Sequence, residues 1–479
     1  MSKLTNDHVL KTLFKMAVPM LAGTIAHNTY NFVDTMFVAK LGTVPLAAIG
    51  YTFPVVTLLI FIAGGIGTGV TTLTSHALGR RNREDAQKMV THGILLVTLV
   101  AAVIAIAGFL SIKPVFAMLG ADEKTMPFIK EYMSIWYIGA LFMALPMMGN
   151  GILISLGDSK AASSFMVLGA VLNCILDPVM IYGLAGFPAM GMAGAALATV
   201  IAQALSTIWL IWLLAGKHKL LRFKNLSLSQ FPRSCRSISD FAIPASLSMT
   251  LMPLASGVIT KLISKFGNEA VAAVSAASRV EMFSFIIPMA LGMSLVPFVS
   301  QNYGAGHIDR IYQAKTYSIR FALLYGALVA VIMYFAAPML ALIFTNDQKV
   351  VELFTLCLRI ISVGFGMMEV HRYCGFFLTG IHHPVLSTVL NGFRILILLL
   401  PLSFLGSSVS GVQGIFAGRL LTDLLAGTVG IVTVSWLLKK QMGFSFVKEK
   451  KQTRRDEKEE KEISNNEHRI SNFEKPLIG

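Results

Sequence analysis

Long apolar runs alternate with short polar breaks along the chain. The runs fall near 14 to 39, 46 to 72, 88 to 111, 127 to 152, 161 to 183, 192 to 215, 239 to 264, 272 to 299, 316 to 344, 350 to 379, 385 to 406 and 411 to 438. Each is long enough to cross a bilayer, which takes roughly 20 residues of helix. The pattern predicts an all-α polytopic membrane protein with twelve transmembrane helices. It also predicts an order of parts: a cytoplasmic N-terminus over 1–13, a six-helix lobe over 14–215, a cytoplasmic linker over 216–238, a second six-helix lobe over 239–438, and a charged tail over 439–479. The tail's glutamates and lysines bury too little apolar surface to order themselves, so a disordered cytoplasmic segment is expected.

The two sets of six are repeats. Sliding the chain by 225 residues aligns Ala17-Val-Pro19 with Ala242-Ile-Pro244, Lys40-Leu-Gly42 with Lys265-Phe-Gly267, Gly67 with Gly292, Ser75 with Ser300, Gly79 with Gly304 and Asp122 with Asp347. Through residues 17 to 79 no gap is needed, and 13 of 63 positions are identical. An even number of crossings per repeat gives both bundles one orientation, related by a pseudo-two-fold axis along the membrane normal. Two bundles facing a central cleft suit a transporter that rocks between two openings. Channels also repeat, and the choice falls to the polar groups.

Composition supports the membrane reading. The chain is 55% hydrophobic and only 14% charged, against about 25% charged in a soluble protein. A soluble enzyme, a disordered regulator and a secreted disulfide scaffold are excluded. Cys174, Cys235, Cys357 and Cys374 are too widely spaced for a metal site or a disulfide framework. The 40 Lys and Arg against 25 Asp and Glu sit between apolar runs, so they give topology and no nucleic-acid surface. Lys3, Lys11 and Lys15, then Arg80, Arg81, Arg83 and Lys88, then Lys217, Lys219, Arg222, Lys224, Arg233 and Arg236 fall on one side. The positive-inside rule makes that side cytoplasmic, with both termini. The first span lacks a small-residue cleavage site and is expected to stay in a protein of the inner or plasma membrane.

Acids inside a span cost roughly 2.5 to 3.5 kcal/mol each on insertion scales and need a reason. Asp34 lies roughly 30 Å along the first helix, Asp177 about 24 Å along the fifth, and Thr199 about 10 Å into the sixth from outside, so the three can share one depth. His27, Tyr30, Asn31 and Asp34 occupy one helix face, as do Asn173 and Asp177. Such clusters either glue helices together by hydrogen bonds or hold a coupling proton or a bare cation. The repeat favours the second reading: Asp34 aligns with Ile259, and Asp177-Pro178 with Leu400-Pro401 at an offset of 223, so the fold is packed without either acid. Pro19 and Pro178 offer bends beside the site. The second half carries Arg279 with Glu281, Glu369 with His371 and Arg372, and Arg394, Arg419 and Asp423. These are expected either as neutralising ion pairs, or with Glu281 and Glu369 as contacts for a cationic substrate and Arg394 as a gate or anchor.

Tyr30-Asn-Phe-Val-Asp34-Thr, Lys40-Leu-Gly42, Gly157-Asp-Ser-Lys160, Asn173-Cys-Ile-Leu-Asp177-Pro178 and Gly194-Ala-Ala-Leu-Ala-Thr199 resemble the multidrug and toxic compound extrusion (MATE) family, more narrowly its branch typified by DNA-damage-inducible protein F. The resemblance runs from about residue 10 to 440. It implies an antiporter that expels amphipathic, mostly cationic compounds in exchange for Na⁺ or H⁺, without a cofactor. By it, Asp34, Asn173, Asp177 and Thr199 match the cation site, a metal site only if Na⁺ is the coupling ion, and Tyr30 and Asn150 line the adjacent cavity. The span count places Asn150 nearer the cytoplasm. Another branch has acidic coupling residues in the seventh and tenth helices; the seventh span here has no acid beyond Asp240 at its very start, and that site is not carried over.

Two other signals dissolve. Gly64-Gly-Ile-Gly67-Thr-Gly69 sits inside an apolar span with no following Gly-Lys, which suits close helix packing. His382-His383 has no surrounding zinc motif. No nucleophile-base constellation suggests an enzyme. The expected partners are small organic cations and the bilayer, with the protein acting as a monomer. A flippase for lipid-linked sugars is the alternative, and it would favour a cationic cleft.

Overall fold

The computed structural model describes the backbone of residues 3–221 and 228–473 and the side chains of residues 4–30, 33–221 and 229–440. Arg222 and Lys224 of the expected linker, the Asn31 side chain and the side chains of the charged tail past Lys440 lie outside the described residues. The described backbone is helical and contains no strand. A short turn, α1 (Lys3–Asn6), leads into α2 (Val9–Ala39), α3 (Thr43–Gly79), α4 (Arg83–Met118), α5 (Met126–Ser155), α6 (Ser159–Tyr182) and α7 (Gly191–Trp212). The second half follows as α8 (Phe231–Ile263), α9 (Asn268–Ser284), α10 (Ile286–Gly304), α11 (Ile308–Phe344), α12 (Gln348–Ile361), α13 (Phe365–Gly380), α14 (Pro384–Gly392) and α15 (Leu400–Phe473). Among the described residues, ten helical stretches are long and apolar enough to cross a membrane, and α9 with α10 forms an eleventh, bent by 54°. The stretch Pro384–Lys440 breaks at Ser410 and Gly411, which makes the twelfth crossing. By compactness, Met1–Ile431 form one unit and Val432–Gly479 a second.

Three of the expected spans are interrupted in their interior. Pro288 has no N–H to offer the Ser284 carbonyl, and the Tyr325 hydroxyl donates to that carbonyl instead at 2.8 Å. The chain therefore bends at Phe285 without leaving an acceptor unsatisfied. The tenth span is interrupted by a 3₁₀ turn over Ser362–Gly364, and the eleventh loosens into a π-helix over Phe393–Leu399. The backbone over the expected tail is described as helix through Phe473.

Local geometry repeats with the sequence. Gly42 and Gly267 cap equivalent helices at φ 122° and 103°, a region a side chain rarely enters. Asp122 accepts from the Thr125 backbone N–H at 2.8 Å, and its counterpart Asp347 accepts from that of Val350 at 3.1 Å. Each half has a core of its own. Phe116, Met133 and Trp136 lie in the first, and Phe354, Leu358 and Phe365 in the second.

The halves meet along α2 and α3 on one side and α8 and α10 on the other. We call the end that carries Lys15, Arg80 and Lys217 the basic face. There α3 and α10 approach backbone to backbone. A Cβ on Gly79 would stand 2.0 Å from the Gln301 carbonyl oxygen, and one on Gly304 would stand 2.2 Å from that of His76. The two contacts are images of each other under the 225-residue repeat. Side-chain bonds reinforce them: Ser300 donates to the Thr72 carbonyl at 2.7 Å and Gln301 to that of Ser155 at 3.2 Å. The N-terminal segment adds a strap. Leu4 is buried, its carbonyl accepts from Asn302 and Arg310, and Arg310 also donates to the Asp7 carbonyl at 2.6 Å. The basic face is closed.

Candidate functional site

Asp34 comes from α2, Asn173 and Asp177 from α6, and Thr199 from α7; α6 packs along both of the others. The Asn173 amide donates to Asp177 Oδ1 and to Thr199 Oγ1, each at 3.2 Å. Thr199 spends its own proton on the Ala195 carbonyl at 3.1 Å. This arrangement leaves Asp34 Oδ1, Asn173 Oδ1 and Asp177 Oδ2 shielded from solvent with no hydrogen-bond donor among the described residues. Asp177 is 0% exposed and Asn173 only 2%. The two acids feel each other's charge, and Tyr30 feels both. Among the described residues neither acid is in an ion pair.

Two buried carboxylates without a cation are not stable as ions in a low dielectric. The oxygens fit either of two occupants: a proton on one carboxyl, or a small hard cation among the carboxylate, amide and hydroxyl oxygens. The second half makes the point by contrast. Ile259 and Leu400, which align with Asp34 and Asp177, pack with Ala255, Ile395 and Leu399 in an apolar cluster.

Tyr30 reaches the acids, and His27 meets its ring edge-on at 5.1 Å between centroids. Tyr132 of α5, buried and within electrostatic range of both acids, is a further neighbour that no motif in the sequence marks. It looked like any aromatic in an apolar span. Asn150 is not brought to the cluster: it lies five residues from the end of α5 on the basic face, with one unpartnered oxygen at that depth.

The second-half charges resolve into pairs. Arg394 of the π segment grips Asp423 Oδ1 through Nε at 3.2 Å and Nη2 at 2.6 Å, both residues buried. Arg419 donates to Glu281, which therefore faces away from Arg279, the neighbour two positions earlier in sequence. Residues two apart on a helix do not share a face. Arg372 lies 3.1 Å from buried Glu369, and His371 pairs with the Ala426 carbonyl at 3.3 Å. A cavity of about 630 Å³ opens beside these pairs, walled by Met249, Met282 and Met289 and edged by Glu281, Arg372 and Arg394. Glu369 is not among its lining residues. Three ion pairs are present, Arg279 is in none of them among the described residues, and the cavity shows which of their members face open space.

The MatE family model matches residues 19–179 and 244–405, two stretches that begin with the spacing of the internal repeat. The chain belongs to the MatE family. It is a membrane transporter and not an enzyme. A curated relative, the FAD transporter of Shewanella oneidensis, is 34% identical to this MatE chain over 417 residues, covering 87% of the chain and 92% of the relative. The multidrug export protein MepA of Staphylococcus aureus is 23% identical over 437 residues, covering 89% and 93%. Among solved structures, the Vibrio cholerae MATE transporter VcmN in its bent form superposes with a TM-score of 0.86 at 29% identity, covering 90% of this chain and 98% of that one. A MOP superfamily transporter from Pyrococcus furiosus, described as having a binding pocket of reversed polarity, superposes at 0.85 with 24% identity, over 92% and 98%. It shares the fold.

Proposed function

We propose that this MatE transporter is an ion-coupled exporter of amphipathic aromatic compounds in which the Asp34–Asp177 cluster takes Na⁺ or H⁺. The reading rests on the three shielded oxygens of Asp34, Asn173 and Asp177 that have no donor. A proton or a desolvated cation satisfies them, and nothing else in the cluster does. Occupancy then favours one lobe arrangement over the other by the difference in affinity between them. With the basic face cytoplasmic, the closed basic face describes the state in which cargo leaves outward and the coupling ion enters. Asp34, Asn173, Asp177 and Thr199 hold the ion, and the methionine-walled cavity of the second lobe holds cargo against soft, polarisable side chains. The protein acts as a monomer of the cell membrane with both termini inside.

Two cargo classes compete for that cavity. Organic cations match the multidrug relatives and would meet Glu281. An anionic flavin nucleotide matches the Shewanella relative's name, and Arg372 favours it: Arg372 edges the cavity and stacks over Phe285 at 5.3 Å.

The test is uptake into inverted vesicles holding wild type, Asp34→Asn or Asp177→Asn, with ethidium and FAD as separate cargoes. Na⁺ and proton gradients are imposed one at a time. The expected outcome is gradient-driven uptake of one cargo by wild type and its loss in both variants at equal expression. Uptake undiminished in either variant removes that acid from the coupling site.

A further inference from the structure

The closed basic face contains a feature that neither ion coupling nor cargo binding uses. His76, near the end of α3, and His382, in the turn between α13 and α14, come from opposite lobes and lie with ring centroids 4.3 Å apart. Tyr303 of α10 sits 5.8 Å from the first ring and 5.6 Å from the second, and Phe241 of α8 closes on His382 edge-on at 5.2 Å. His382 holds a positive φ of 66°, which is uncommon for a residue other than glycine. His76 Nδ1 and His382 Nε2 are shielded from solvent and have no hydrogen-bond partner. The pair lies where Gly304 touches the His76 carbonyl, so the rings separate if the halves part.

The surroundings decide the charge state. Arg80 faces both rings, His383 faces His382, and Asp85 is the one acid that reaches His76 among these groups. Burial, then the neighbouring His76, His383 and Arg80, hold His382 down to about 4. A charged ring there would sit against another imidazole and a guanidinium, with no acceptor for its N–H.

We infer that the His76–His382 pair is a proton-sensitive latch, which holds the basic face shut while both rings are neutral and drives the lobes apart there when either is protonated. The closed state binds fewer protons than the open one, in which the rings are hydrated and return toward an ordinary value near 6.5. Closure is therefore at full strength above that value and weakens as pH falls through it. By linkage, one histidine shifts the equilibrium about tenfold toward the open basic face between pH 8 and pH 5.5. A transporter so built reopens to the acidified side on which the latch lies.

The test is a distance measurement across the basic face. Spin labels go on Glu84→Cys and Asp309→Cys, both exposed and on opposite halves, in full-length protein with Cys174, Cys235, Cys357 and Cys374 changed to Ala, reconstituted in lipid nanodiscs. We expect one short distance at pH 8 and a longer population growing about tenfold by pH 5.5. That growth is expected to vanish in His76→Gln/His382→Gln and to persist in Asp34→Asn/Asp177→Asn, which separates the latch from the coupling acids. His76→Phe, which keeps a ring in the contact, serves where the Gln pair does not fold and is also expected to blunt the response. Wild type that stays closed at pH 5.5 overturns the latch. So does a histidine variant that opens as far as wild type, or a response lost with the two aspartates.

Discussion

A carboxylate buried without a cation beside it must take up a proton or an ion, whereas one beside an arginine is already satisfied. This chain has both kinds. Asp34 and Asp177 are unpaired, while Asp423 is locked to Arg394 and Glu281 to Arg419. Removing one partner of a buried pair strands the other, at a cost of about 3–5 kcal/mol. Asp423→Ala is therefore expected to lower the melting temperature of the purified protein sharply, and Arg394→Met with Asp423→Leu to restore much of the loss. Asp158, between α5 and α6, shows the opposite regime. Burial acts against its charge, but hydrogen bonds from Lys217 and the Ala161 backbone, with the Lys217 and His218 charges, hold its carboxyl below the usual range. A lowered carboxyl contributes stability above its unfolded value near 4 and loses it as pH falls further. Acid unfolding of Asp158→Asn below about pH 4 should accordingly be shallower than that of wild type. A result in which both titrate alike removes Asp158 from the acid response. At this scale the sequence revealed Asp34 and Asp177 because an acid in an apolar run is conspicuous. It concealed Tyr132, whose role depends on acids carried by two other helices, and the partner of Glu281, which lies on another helix.

At the scale of elements, the twelve crossings were legible because each exceeds what a bilayer requires. The breaks within them were not. The bend at Phe285 depends on Tyr325 supplying the bond that Pro288 cannot, a contact 41 positions apart. The π segment at Phe393–Leu399 contains no Pro of its own; it carries Arg394, which pairs with Asp423. Glycines divide into two kinds with different consequences. Gly42→Ala and Gly267→Ala place a side chain at positive φ, so each should cost about 1–2 kcal/mol in chemical unfolding. Gly79 and Gly304 are helical, and alanine suits their backbone. What it does not suit is the carbonyl opposite, about 2 Å from the new Cβ. Gly79→Ala and Gly304→Ala should leave the helices intact and open the basic face, read as a longer Glu84–Asp309 label distance at pH 8. A distance unchanged from wild type would show that the two helices can slide to absorb a methyl.

In the whole molecule, duplication accounts for the architecture, and divergence accounts for the function. The 225-residue spacing appears in the alignment, in the paired caps at Gly42 and Gly267, and in the reciprocal contacts at Gly79 and Gly304. What has diverged is the chemistry inside each bundle: oxygens in the first where the second has Ile259 and Leu400, and paired arginines around a cavity in the second. The sequence could show that the halves differ but not which conformation they adopt, since closure depends on contacts between residues far apart in the chain, 146 positions for Gln301 with Ser155 and 228 for Ser300 with Thr72. The reciprocal glycine contact has a kinetic consequence. A seal made from two backbones has no rotamers to order when it forms and none to release when it breaks. The seat can open and reseat many times along the same path, as a valve face without moving teeth does, and control is left to the few side chains at its rim.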